Sequence, residues 1–147
     1  MYKSTLARIV LALALLASVT GAAEPAMRLS PKPVREEVRA VVQGQLAALR
    51  AGDFAAAYGY AAAGIKERFD DEVFAAMIRR GYPALLSAKE AELGMVHDHA
   101  GEFAEVTVSV RDRQKHAVTY LYRLVREAEG WRITGVTLEP RSTRGDI

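Results

Sequence analysis

The 147-residue chain contains no cysteine. That absence excludes disulfides, thiol nucleophiles and attachment through a lipidated cysteine, so its stability must come from packing. Tryptophan occurs once, at Trp131, and histidine three times. Internal repeats are lacking, as is any low-complexity stretch beyond alanine-rich segments. What is present suits one globular domain: half the residues are hydrophobic, 26% are charged, and the length is enough to bury a core without staples.

An excess of one charge also disappears once the N-terminus is set aside. Lys3 and Arg8 form a positive start, Ile9 to Val19 is an uncharged apolar run, and Gly21-Ala22-Ala23 supplies small residues for cleavage. This is the layout of a secretory signal peptide over residues 1–23. The competing reading is a membrane anchor. The run is short of the roughly 20 apolar residues a spanning helix needs, and Pro25 follows it without a basic stop-transfer cluster. The mature chain is therefore expected to begin near Glu24, to be periplasmic or secreted, and to leave the membrane after cleavage. The leader carries two of the 20 basic residues, so the mature chain balances 18 against 18 acidic ones. Such a balance removes the main support for a general affinity for nucleic acid or anionic lipid.

Residues 24–32 hold Pro25 and Pro31 with little periodicity and read as a tether. A single domain is expected over 33–140, followed by a loose polar tail at 141–147. Pro33 suits a first helical turn, and Val34, Val38, Val41, Val42, Leu46 and Leu49 then form one apolar stripe that stops at Ala51-Gly52. Asp53 caps a short second helix with Phe54, Ala57, Tyr58 and Ala61 on one side. Ile65 to Phe69 reads as a connector. Asp70 or Asp71 caps a third helix whose buried face is expected to be Val73, Phe74, Met77 and Ile78, and Gly81-Tyr82-Pro83 ends it.

From Ser87 the period changes to two. A moderate strand signal runs from Lys89 to Val96, and His97 to Gly101 reads as a turn. Ala104, Val106, Val108 and Val110 share one face of a strong strand. Val118, Tyr120, Tyr122 and Leu124 share one face of the next. Trp131 to Leu138 is the last, with Trp131, Ile133 and Gly135 on one face and Val136 and Leu138 on the other. The expected fold is α+β: three N-terminal helices packed on one face of a curved antiparallel sheet of about four strands.

Three stretches carry a resemblance. Leu49-Arg50-Ala51-Gly52-Asp53-Phe54-Ala55-Ala56-Ala57-Tyr58 resembles the opening of the nuclear transport factor 2-like superfamily. Gly130-Trp131-Arg132-Ile133-Thr134-Gly135-Val136 is similar to its closing strand. With Arg80-Gly81-Tyr82-Pro83 added, the chain resembles a bacterial exported family, domain of unknown function 4864, over nearly the whole mature length. The resemblance implies a cone, a curved sheet wrapped around helices, with a pocket inside and frequent dimers through the outer sheet face. The superfamily hosts isomerases, dehydratases, hydrolases and pure binding modules, so membership alone says little about chemistry.

The residues themselves offer little catalysis. His97-Asp98-His99 is the only close histidine pair, and His116 lies by the next hairpin. A catalytic zinc wants three protein ligands and supporting partners, so no metal and no cofactor are expected. The inward stripes of the strands carry no acid, Glu105 alternates away from the valines, and Asp53 and Asp71 are explained as caps. Tyr58, Tyr60, Tyr82, Tyr120, Tyr122 and Trp131 converge if the cone is right. One reading of them is core packing with satisfied hydroxyls. The sharper one is a ligand-binding set of Tyr58, Arg80, Tyr82, Tyr120, Tyr122 and Trp131, with Arg79 or Arg80 at the mouth. The function expected is an exported, non-enzymatic binding module for a small apolar or amphipathic ligand or a protein partner. The alternative is a small cone-fold enzyme using acid–base chemistry. Leu121, Val125, Val136 and Leu138 are expected to make an apolar patch on the outer sheet face, suited to a homodimer.

Overall fold

In the computed structural model, which describes residues 26–140, the chain order is β1 (Arg28–Leu29), α1 (Lys32–Arg50), α2 (Phe54–Gly59), α3 (Ala63–Arg68), α4 (Asp71–Gly81), α5 (Pro83–Ser87), β2 (Ala91–Leu93), β3 (His97–His99), β4 (Phe103–Arg111), β5 (Ala117–Glu127) and β6 (Gly130–Leu138). Among the described residues the fold is α+β, with five helices and one open antiparallel sheet of six strands. The expected leader and tail lie outside the described residues.

Prolines start α1. Pro31 is its N-cap and Pro33 sits in its first turn, where a missing N–H costs nothing. Val38, Val42, Leu46 and Leu49 are buried at helical spacing, each worth roughly 1.5–3 kcal/mol once fully removed from water. The same stripe carries Gln45, a polar side chain also buried. Gly52, at φ +69°, lets the chain leave the helix, and the Asp53 carboxylate then accepts the Ala56 N–H at 3.0 Å to cap α2. Asp70 does the same for α4, accepting the Val73 N–H at 2.8 Å.

The expected third helix corresponds to α4, and two further short helices flank it. The segment read as a connector folds as α3. Its first N–H, from Ala63, donates to the Glu127 carboxylate of β5 at 3.0 Å, a cap supplied from across the fold. Pro83 both ends α4 and opens α5, since proline fits the first turn. On α4 the buried face is Phe74, Ala75 and Ile78, while Val73 and Met77, expected inside, are exposed.

The strands run β1-β3-β4-β5-β6 across the sheet, and β2 pairs with the other half of β4. Both β2 and β3 lie along β4, with Leu93 opposite Val108 and His97 opposite Glu105. Between them Gly94 sits so close to the Thr107 side chain that a Cβ would collide with its hydroxyl. The segment read as a turn thus contains a strand, and the segment read as a tether supplies its partner. The Ser30 N–H donates to the Val96 carbonyl at 3.0 Å. Arg28 reaches to within 3.9 Å of the buried Asp98 carboxylate, which also accepts the Gly101 N–H at 2.9 Å. Burial alone would raise the Asp98 carboxyl. The nearby Ser30 hydroxyl (outside hydrogen-bond geometry), the Gly101 N–H, and Arg28 and Arg126 outweigh it and hold the group below its ordinary value.

On β4 and β5 the inner face is as the alternation predicts: Ala104, Val106, Val108, Val110, Tyr120, Tyr122 and Leu124 are buried. Strand β6 departs from expectation. Arg123 pairs with Gly135 but Leu124 pairs with Ile133, so Thr134 is an extra residue, a β-bulge. The bulge reverses the phase of everything after it. Val136 pairs with Tyr122 and Leu138 with Tyr120, which puts both on the inner face rather than the outer one. The outer apolar patch keeps only Leu121 and Val125 of the four residues expected. The free edge of β6 is partly covered too, since the Ile133 N–H donates to the Tyr60 carbonyl and its carbonyl accepts the Ala62 N–H, both at 2.8 Å.

Candidate functional site

The helices and the sheet meet around a cavity of about 210 Å³. Gln45 of α1, Phe74, Met77 and Ile78 of α4, Leu85 of α5, the connector residues Ala61 and Tyr82, and Ile65 of α3 form its helical side. Tyr122 of β5 and Ile133, Gly135, Val136 and Thr137 of β6 form the sheet side. The bulge is what makes the sheet side possible. It brings Val136 to the inner face and leaves Gly135, with no side chain, along the wall.

Most of this lining is apolar; besides the exposed Thr137, three groups break the pattern. The Tyr82 hydroxyl donates to the Val136 carbonyl at 2.7 Å and is thereby satisfied. Tyr122 is fully buried and its hydroxyl has no hydrogen-bond partner. Gln45 keeps 3% of its surface exposed, and its amide makes no hydrogen bond with another described residue. Burial pushes the Tyr122 hydroxyl far above the ordinary tyrosine range, and the neighbouring Tyr120 and Tyr82 push it the same way, so it stays protonated. No carboxylate, imidazole, lysine or arginine is among the lining residues. The wall offers shape, apolar contact and neutral hydrogen-bonding groups.

Beyond Tyr82 lies a second, more open depression of about 710 Å³, bounded by Tyr120, Val118 and Leu138 of the sheet, by α5, by Arg79, and by Asp112, Arg113 and Gln114 of the β4–β5 hairpin. The Tyr82 and Tyr120 rings, 5.8 Å apart between centroids, stand between the two spaces. The Asp112 carboxylate is engaged by its own turn, accepting the Gln114 and His116 N–H groups at 2.9 Å.

Of the six residues singled out in the sequence, Tyr82 and Tyr122 line the inner cavity and Tyr120 lines the outer depression. The other three line neither. Tyr58 packs on Phe74 and donates to the Phe69 carbonyl at 2.6 Å. Arg80 is exposed, whereas Arg79 lines the outer depression and lies 4.3 Å from the centre of the Phe54 ring. Trp131 is buried in the core, donates to the Glu37 carboxylate at 3.1 Å, and has Arg126 over its ring at 5.1 Å. His97 and His99 flank Asp98 in β3, and no group of three or more potential metal ligands occurs among the described residues. Gln45 was not anticipated. Its signal was present: a polar residue on the same face of the helix as Val38, Val42 and Leu49.

The family model described as Domain of unknown function (DUF4864) matches residues 31–145. No curated protein matches the chain.

Proposed function

The chain belongs to the DUF4864 family, and from that premise we propose that it is an exported, non-enzymatic binding module that holds one small, largely apolar ligand between its helices and its sheet. Family membership carries no chemistry of its own, so the inner cavity carries the reading. Packed cores hold few voids larger than a water molecule, and an apolar cavity of about 150 Å³ already accepts a benzene-sized guest. A space of about 210 Å³ between the helices and the sheet is therefore a receptor-sized feature for a compact ligand. Its walls supply no acid or imidazole for proton transfer, which favours binding over the acid–base alternative. We read the architecture as the nuclear transport factor 2-like cone. Support comes from the order of helices before sheet and from the bulge in β6, since bulges bend the strand that carries them.

Filling the cavity tests the reading. Ala61 is buried on its wall, and Ala61→Leu should occupy the space the ligand needs. Titration calorimetry with a compact aromatic probe such as toluene should show saturable binding to the native protein and at least tenfold weaker binding to the variant, on the scale of losing one well-packed contact. Equal binding by both would place the probe elsewhere, and protein-partner docking would become the better account of the fold. The export component rests on the leader pattern at residues 1–23. N-terminal sequencing of protein from the periplasm or medium should begin near Glu24.

A further inference from the structure

We propose that the ligand of the inner cavity is a neutral molecule carrying one hydrogen-bonding oxygen, such as a phenol, alcohol or ketone on an apolar body, and that Tyr122 and Gln45 are the two groups that recognise it. The inference rests on the binding reading above and adds the class of ligand.

A buried hydroxyl without a partner is disfavoured, and each such group in a native fold calls for an explanation. Tyr122 stands at the centre of β5 with its ring packed in the core and its hydroxyl unpartnered. Phenylalanine would fill the same shape without the cost. Across the cavity wall, α1 presents Gln45 where its amphipathic stripe otherwise places valine and leucine. Gln45 lines the same space, and its amide makes no hydrogen bond with another described residue. The two buried polar side chains of the lining with no hydrogen bond to another described residue, Tyr122 and Gln45, thus border one space, while Tyr82 is bonded and Thr137 is exposed.

The chemistry of the pair sets the class. The Tyr122 hydroxyl is protonated and donates, so the ligand must offer an acceptor oxygen. The amide of Gln45 both donates and accepts, so it can satisfy the proton of a hydroxyl or the second lone pair of a carbonyl. A charged ligand is disfavoured. No lysine, arginine or carboxylate lines the cavity to balance it, and transfer of an unpaired charge from water into such a site is expensive. The remaining walls, from Phe74, Ile78, Leu85, Ile133 and Val136, ask for an apolar body.

Three probes of the same shape separate the possibilities: toluene, para-cresol and para-toluate. In a purely apolar cavity cresol binds more weakly than toluene, because its hydroxyl loses water for nothing. Calorimetric titration of the purified protein should instead show cresol binding more tightly than toluene, with toluate weakest. Tyr122→Phe should weaken cresol about tenfold, the scale of one hydrogen bond, and leave toluene within about twofold, reversing their order. Gln45→Leu should act in the same direction. Toluene binding more tightly than cresol in the native protein, with the order unchanged in Tyr122→Phe, would overturn the polar recognition and leave the cavity as a plain apolar receptor. Toluate binding most tightly would overturn the neutral class. Failure of all three probes to bind would overturn the binding reading itself, and this inference with it.

Discussion

At the scale of single residues, Tyr122 and Trp131 make opposite predictions although both are fully buried aromatics of the same sheet face. The Trp131 indole N–H is satisfied by Glu37, which Arg126 also contacts at 3.2 Å. Trp131→Ala should therefore empty a well-packed site and cost about 3–5 kcal/mol in denaturant melts. Tyr122→Phe removes an unpaired hydroxyl and should raise stability by about 1 kcal/mol. It should also change the response to alkali. The folded-state pKa of Tyr122 lies above the ordinary value of about 10, so its contribution is complete below that pH. Above it the unfolded chain loses the proton and the folded one does not, so stability falls as pH rises. Tyr120 is shifted in the same direction and adds a parallel decline. Denaturation midpoints at about pH 9 and 11 should thus diverge in the native protein and diverge less in Tyr122→Phe. Neither behaviour was legible in the residue types. Tyrosines two apart in a strand show that both rings face inward, while which hydroxyl finds a carbonyl depends on elements distant in sequence.

At the scale of elements, the packing of α1 on the α2–α3 connection is set by a glycine. A Cβ at Gly44 would meet the Tyr60 ring, with its Cζ at 2.6 Å. The ring of Tyr60 must move to admit it, since the Tyr60 carbonyl accepts the Ile133 N–H at 2.8 Å and ties the backbone to the edge of β6. Alanine would gain about 1 kcal/mol of helix propensity at this position, while overpacking costs roughly 1–3 kcal/mol. Gly44→Ala should accordingly destabilise by about 1 kcal/mol in equilibrium unfolding. A gain in stability would mean that Tyr60 swings away freely. The same scale shows what local pattern misses. The cap of α3 comes from Glu127, 64 positions away, and no neighbouring residue of the helix announces it.

At the scale of the whole molecule, the question is self-association. The outer sheet face retains Leu121 and Val125, with Val136 and Leu138 turned inward by the bulge. Around them stand the Ser109–Thr119 hydroxyl pair at 2.8 Å and the Arg123–Glu105 ion pair at 3.1 Å. We place any homodimer contact on this smaller, mixed surface. If it forms, light scattering should give twice the chain mass, and Leu121→Glu should return it to the single-chain value. A single-chain mass at every concentration would leave the face to solvent.

The long periodic segments were determined by the sequence alone. Alternation placed Val106, Val108, Tyr120 and Tyr122 on one face, and helical spacing placed Val38, Val42, Leu46 and Leu49 on another. Both are properties of a local backbone with a fixed period, and they hold wherever the pairing stays regular. The tertiary structure decided the rest. One extra residue at Thr134 reversed the phase of β6, since the face a strand residue takes after a bulge depends on its partner strand. A glycine at 135 was the available hint. Strands of two and three residues at β1 and β3 are too short to show a period, and they exist because each completes hydrogen bonds along β4 and its neighbour. The cavity is the extreme case. It is a volume left where α1, α4, α5 and the sheet fail to close on one another, so no single segment of the chain encodes it.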